Sequence, residues 1–180
     1  PEGIAVPIRC AMFTMYNTKP EFFWLTNYFE TLLSTTVWLP CNSATIAHRY
    51  RKILDKYAAE TSSVPEFVDW QGHDFSMRGM AGLEAAELSG AGHLLSFTGT
   101  DTIPAIDFME KYYNANSDNE LIGGSVAATE HSVMSMGTNH AEQDTFKRLI
   151  TEVYPNGIVS IVSDTWDLWK VLTEYLPNLK

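Results

Sequence analysis

The sequence predicts an α/β protein, a partial β/α barrel preceded by a strand and two helices, and three observations carry that reading. Short apolar runs alternate with helical stretches from residue 64 onward. Each run ends in a cluster of polar residues, and no glycine-rich turn of the GxGxxG or GxxxxGK[ST] kind stands after any of them. Parallel α/β proteins place their sites at the carboxyl ends of the strands. A contribution from every strand end favours a barrel over an open doubly wound sheet, and four such units make half a barrel.

The elements follow in order. Cys10-Ala11-Met12-Phe13-Thr14-Met15-Tyr16 reads as a strand closed by the turn-forming Asn17-Thr18-Lys19-Pro20. Phe22, Phe23, Leu25, Tyr28, Phe29, Leu32 and Leu33 then recur at helical spacing, in a helix expected to end before Leu39-Pro40. A second helix is expected from Asn42 or Ser43, each a good N-cap, through Ile46, Tyr50, Ile53, Leu54 and Tyr57 towards Ser62. Its charges, Arg49, Arg51, Lys52, Asp55 and Lys56, suit a solvated face better than a phosphate site. The pattern changes near residue 63, so 1–63 form a flanking segment and 64–180 the first half of the barrel domain. The barrel strands are read at 67–75, 93–97, 121–126 and 158–162, with helices at 83–89, 103–113, 140–154 and 166–176.

Composition narrows the function classes. The 180 residues are 45% apolar and 12% aromatic, enough for a folded core. A formal charge of −10 opposes non-specific binding to nucleic acid or to an anionic membrane. Cys10 and Cys41 are too few for a disulfide framework, and no CxxC pattern suggests zinc, so a reduced, cytoplasmic setting is expected. No apolar run reaches the roughly 20 residues that cross a bilayer. The chain opens on Pro1 without an initiator Met, as an excerpt from a longer polypeptide would.

The polar strand ends are His73-Asp74-Phe75 with Arg78, then Thr98-Gly99-Thr100-Asp101, Glu130-His131, and Ser163-Asp164 with Asp167. Most of these have a plain structural reading. His73 and Asp74 can cap the first strand, Phe75 can be a core aromatic, and Arg78 can be a loop cation or an anion contact. Asp101 fits an N-cap and a ligand contact equally well. Dipole stabilisation at a helix start accounts for Asp164 and Asp167. His93 reads as a satisfied buried histidine, His48 and His140 as surface residues, and Trp166, Trp169, Leu172 and Leu176 as a packing stripe. His131 is different. It follows Gly123-Gly124-Ser125-Val126-Ala127-Ala128-Thr129-Glu130 and lies outside any periodic apolar pattern, which points to chemistry.

Taken together, His73-Asp74-Phe75-Ser76-Met77-Arg78-Gly79, Phe97-Thr98-Gly99-Thr100-Asp101-Thr102, Gly124 to Ser132 and Val162-Ser163-Asp164-Thr165-Trp166-Asp167 resemble, in order and spacing, the nicotinamide phosphoribosyltransferases of the type II phosphoribosyltransferase family. The resemblance extends upstream through Trp24 to Thr31 and Lys52-Ile53-Leu54, so it covers essentially the whole chain. Ala127 and Thr129 depart from the Pro and Ala frequent in relatives, and Ser76-Met77 from a Gly-aromatic pair.

The resemblance implies transfer of phosphoribose from phosphoribosyl pyrophosphate to nicotinamide, giving nicotinamide mononucleotide and pyrophosphate. Phe75 would stack on the pyridine ring. Asp101 would accept from the carboxamide and repel nicotinate. Arg78, Ser125, Val126 and Ala128 would complete the base pocket, and Ser163 and Asp167 would lie near the ribose and phosphates. His131 would be phosphorylated by ATP and oriented by Glu130. Mg²⁺ would accompany phosphoribosyl pyrophosphate, and the full-length protein would be a homodimer. Two rivals remain at this stage: a metal-dependent barrel hydrolase with His73, Asp74, His93, Asp101 and His131 as ligands, disfavoured by the lack of a His-x-His pair, and a non-catalytic module that binds nicotinamide or a partner.

Since the family's further strands supply ribose and phosphate contacts, these 180 residues alone are expected to be catalytically inert. Mass spectrometry of the purified segment incubated with nicotinamide, phosphoribosyl pyrophosphate and Mg²⁺ should detect no nicotinamide mononucleotide; turnover by the segment would contradict this.

Overall fold

The helical spacing that begins at Phe22 resolves into a single long helix in the computed structural model, which describes residues 3–179. Helix α1 spans Phe23–Thr61 and runs through Pro40, so the expected break at Leu39-Pro40 does not occur. Proline lacks the N–H that would bond the Thr36 carbonyl, yet the neighbouring turns are reinforced. Thr35 and Thr36 donate their hydroxyls to Thr31 O and Leu32 O, and Asn42 Nδ2 donates to Trp38 O. The two N-cap candidates are thus occupied otherwise, because Ser43 Oγ donates to Ser89 O at 2.6 Å on the next helix. That tertiary anchor, with the packing around it, outweighs the cost of proline.

The chain divides into two compact units, Pro1–Gly124 and Ser125–Lys180. In the first, α2 (Leu83–Leu94) packs on α1 and on α3 (Pro104–Tyr113). The buried face of α2 is small: Ala86, Ser89, Gly90, Ala91 and Gly92. Gly92 is needed there, since a Cβ would lie 2.6 Å from Pro40 O and 3.0 Å from Ala44 N. Beneath α1, Ala47, Val68 and Phe97 form a core with Leu54 and Ala58 against it. Arg51 clamps the same region, with Nε on Asp55 at 2.8 Å and Nη1 on Asp69 at 2.6 Å and on Ser96 O at 2.8 Å. Its hydrogen bond to Asp55, with help from Asp69, raises its pKa. Arg51 is therefore a structural cation.

The strand readings in this unit are corrected to single parallel bridges, Asp74↔Thr100 and Gly99↔Gly124. Backbone bonds hold them: Asp74 N to Gly99 O, Asp101 N to Asp74 O, Thr100 N to Gly124 O and Gly124 N to Thr98 O. Pro65 starts a 3₁₀ turn over Pro65–Trp70, which takes up the beginning of the first run. His93 is in the last turn of α2 and does not open a strand; its Nε2 donates to Gly99 O at 2.9 Å, so it is satisfied. The run Cys10–Tyr16 also forms no strand, having no ladder partner among the described residues, and it is mostly exposed.

In the second unit, β1 (Ala127–Ala128) and β2 (Val159–Ser160) pair in parallel, Ala127 with Val159 and Ala128 with Ser160. Thr129 prolongs the pairing: its N–H donates to Ser160 O, and its Oγ1 accepts from Val162 N, both at 3.0 Å. Around this ladder lie α4 (His131–Met136), α5 (Glu142–Arg148), which continues as a π turn over Leu149–Val153, and α6 (Leu168–Lys170), which continues as a π turn over Val171–Tyr175. Met134, Phe146, Leu149, Val171 and Tyr175 make the core. The Trp166-Trp169-Leu172-Leu176 stripe is corrected: all four are exposed, Trp169 at 73%, and the buried pair one turn apart is Val171 and Tyr175. The later helical start at Leu168 and the wide turn after it rotate the buried face away from the tryptophans.

The architecture is a helix-rich α/β fold with a small parallel sheet. No helix among the described residues is long and apolar enough to cross a membrane.

Gly92→Ala is expected to destabilise the chain. The substitution gains about 1 kcal/mol of helix propensity, but the clashing atoms are backbone, and overpacking costs about 1–3 kcal/mol. Urea unfolding should show a lower midpoint for Gly92→Ala and little change for Gly79→Ala, where a Cβ meets nothing within 4 Å.

Candidate active site

An Asx turn builds the first cluster. Asp74, buried at the parallel bridge, accepts from Ser76 N through Oδ1 at 2.8 Å, and the chain then turns tightly over Ser76–Gly79. This turn exposes Phe75 and Arg78 beside the loop that carries Asp101. Phe75, Met77, Arg78, Asp101 and Thr102 line one cleft of about 400 Å³. The cleft offers a flat aromatic face, a carboxylate and a guanidinium. Arg78 makes no contact ion pair among the described residues and shares the cleft with Asp101. Phe75 is half exposed and is not a core aromatic.

His73 plays a larger part than strand capping. Its Nε2 donates to Asp101 Oδ1 at 2.9 Å, and its ring lies 4.4 Å from the Phe75 ring, centroid to centroid. Asp101 therefore has a definite side-chain partner, while the N-cap position of α3 is taken by Ile103. His93 is committed to Gly99 O, and no group of three His, Cys, Asp or Glu side chains among the described residues could hold a metal ion. Within the first unit, His73, Asp74, His93 and Asp101 thus form no three-ligand group among the described residues.

The second unit carries the other cluster. His131 is the first residue of α4, immediately after the parallel ladder ends. Its Nε2 donates to Asp164 Oδ1 at 2.9 Å, and both side chains are about two-thirds exposed, at 67% and 63%. The carboxylate holding His131 is thus Asp164, where the sequence pointed to Glu130. Asp167 is the N-cap of α6, accepting from Lys170 N at 3.1 Å. Ser163 Oγ donates to Ile161 O at 2.9 Å and Ser125 Oγ to Val126 O at 3.4 Å. Val126 is half-buried and Ala128 exposed on β1.

Sequence reasoning missed Glu142 entirely. It is 1% exposed at the start of α5, and its Oε1 has no hydrogen-bond partner among the described residues. Burial pushes its carboxyl pKa up; Lys170 opposes the shift and Asp167 adds to it. The only signal in the sequence was an acidic residue one turn before Phe146, indistinguishable from an ordinary first-turn carboxylate.

The first unit of this helix-rich α/β chain brings a carboxylate, a cation and an aromatic ring into one cleft. Comparison with known sequences gives the family. The sequence profile of the nicotinate phosphoribosyltransferase (NAPRTase) family matches residues 70–180, and the chain belongs to that family. It is 54% identical over 180 residues to the nicotinamide phosphoribosyltransferase of Acinetobacter baylyi, covering 100% of this chain and 35% of that protein. Proteins of the same name from Mycoplasma genitalium (38% over 179 residues; 98% of this chain, 36% of the relative) and Mycoplasma pneumoniae (41% over 165 residues; 89% and 32%) are also similar. The chain spans about a third of the length of these curated relatives.

The raised carboxyl of Glu142 has a signed consequence. Its folded pKa exceeds the ordinary 4.5, so the folded state binds more protons between the two values, and stability falls as pH rises through that window. Glu142→Gln removes the buried charge. It should raise the urea midpoint at pH 7 and change it little at pH 4, as unfolding at the two pH values will show.

Proposed function

We propose that the chain is part of an enzyme that transfers phosphoribose from phosphoribosyl pyrophosphate to nicotinamide, in NAD salvage. The observation that carries this is the shared lining of one cleft by Phe75, Arg78 and Asp101, in a chain 54% identical to a nicotinamide phosphoribosyltransferase. A pyridine ring offers a flat face to Phe75. Its carboxamide N–H meets an acceptor in Asp101, whereas the carboxylate of nicotinate meets like charge. Arg78 is placed to meet the amide oxygen or a phosphate.

In this reading the residues act by position. Bond breaking at the anomeric carbon builds positive charge on the ribose and negative charge on the departing pyrophosphate, so a base held in line and cations near the phosphates supply the rate. By the family resemblance, Ser125, Val126 and Ala128 would serve the base, and Ser163 and Asp167 the ribose and phosphates. Mg²⁺ would supply charge neutralisation to the pyrophosphate, binding through phosphates, waters and one or two carboxylates. The parallel pairings at 74, 99 and 124 in the first unit, and separately at 127–128 in the second, are of the kind that early β/α-barrel strands make; a cytoplasmic homodimer is part of the same proposal.

His131 is the residue phosphorylated by ATP in this proposal. With Nε2–H given to Asp164, the lone pair of the neutral imidazole lies on Nδ1. Nδ1 would attack the γ-phosphorus as the bond to the ADP oxygen breaks, and Asp164 would stabilise the cationic ring that forms. Glu130, beside it in sequence, has no hydrogen bond to His131 among the described residues, so its part is electrostatic.

The test is a mass-spectrometric assay of the full-length polypeptide with nicotinamide, phosphoribosyl pyrophosphate and Mg²⁺, with and without ATP. Product should rise severalfold with ATP in the parent and show no ATP response in His131→Ala or Asp164→Ala. A folded parent that forms no nicotinamide mononucleotide would instead favour a non-catalytic binding module.

A further inference from the structure

We propose that His73 is a positioning residue that fixes the Asp101 carboxylate and thereby sets the preference for a carboxamide over a carboxylate on the base; this rests on the base-pocket reading above. Asp101 is about half exposed on a loop. An exposed carboxylate can rotate, and with it any selectivity that depends on its direction. His73 is well suited to prevent this. Its side chain is only 14% exposed, its Nε2–H is directed at Asp101 Oδ1 at 2.9 Å, and its ring lies at 32° to that of Phe75 with the centroids 4.4 Å apart. The imidazole thus touches two of the residues that line the cleft without being a lining residue itself.

The backbone around His73 reserves this place for it. A Cβ on Gly99 would stand 2.8 Å from His73 Nδ1 and 3.1 Å from Gly72 O, so a side chain at 99 would push the ring off its seat. Asp74, the next residue, is fixed at both backbone groups: its N–H donates to Gly99 O and its carbonyl accepts from Asp101 N. The same two strand ends therefore carry donor and acceptor in a fixed register. With Oδ1 held by His73, the carboxylate is fixed in direction beside the cleft. An immobile carboxylate accepts from an amide and repels a carboxylate. A freely rotating one does both less well.

Two substitutions separate the roles of the ring and of its N–H. His73→Phe keeps an aromatic ring against Phe75 and removes the donor; His73→Gln removes the ring and keeps an N–H at similar reach. On the full-length protein, kcat/KM for nicotinamide and for nicotinate should give a preference that falls at least about tenfold in His73→Phe, mainly through KM for the amide, and stays within about threefold in His73→Gln. In an Asp101→Ala background His73→Phe should have no further effect on the preference, since His73 acts through Asp101. Equal preference in parent and His73→Phe, equal loss in both variants, or a full His73 effect without Asp101 would each overturn the proposal. A parent inactive in phosphoribosyl transfer refutes the enzymatic reading alone; calorimetric titration with nicotinamide and nicotinate then decides the His73 proposal on the same order of variants.

Discussion

The small face of α2 is the constraint on which the first unit depends. Ser89, Gly90, Ala91 and Gly92 let α1 approach on one side and α3 on the other, and the Ser43–Ser89 bond locks the first of these contacts. The start of α3 is sealed in turn, with Thr102 just before it and Ala105 in its first turn both 0% exposed. Asp101 immediately precedes Thr102, so the direction in which its loop leaves the core is inherited from helix packing two elements away. Interiors of this density do not deform by fractions of an ångström without cost. The cleft is accurate because the helices behind it are close.

Each unit contains one imidazole–carboxylate pair, and the two differ in environment. The His73–Asp101 bond has a nearly buried imidazole end, whereas His131–Asp164 is exposed at both ends with the same 2.9 Å separation. Solvent screens an exposed pair, which contributes little to folding. The His131–Asp164 bond therefore matters for which ring nitrogen is protonated rather than for stability. The sheltered pair can hold a geometry, and the exposed pair can hold a tautomer while leaving the ring accessible.

Much of this was legible in the sequence, and the failures have physical causes. The α2 and α3 segments stood out because apolar periodicity and Pro104 mark them locally. Phe75, Arg78 and Asp101 stood at strand ends marked by polar clusters after apolar runs, but it was the family resemblance that singled them out for a base pocket. The continuity of α1 was not readable, because Pro40 is a local stop signal overruled by a contact with α2 some fifty residues away. The partner of His131 was misassigned for the same reason: Glu130 is adjacent in sequence, but Asp164 reaches the imidazole through the β1–β2 register, which only the fold supplies. Glu142 could not be found at all, since burial is a property of the packed chain.

Helix α1 has a further consequence for how the chain is made. It leaves Phe23, Trp24, Tyr28, Trp38, Tyr50 and Tyr57 more than half exposed, and its packing partner α2 begins only at Leu83. A ribosome adding about 5–20 residues per second extends this helix for seconds before α2 is available. During that interval the aromatic-rich helix stands without its α2 contacts, the kind of segment that holdase chaperones bind. The order in which α1 and α2 emerge therefore leaves α1 vulnerable during synthesis.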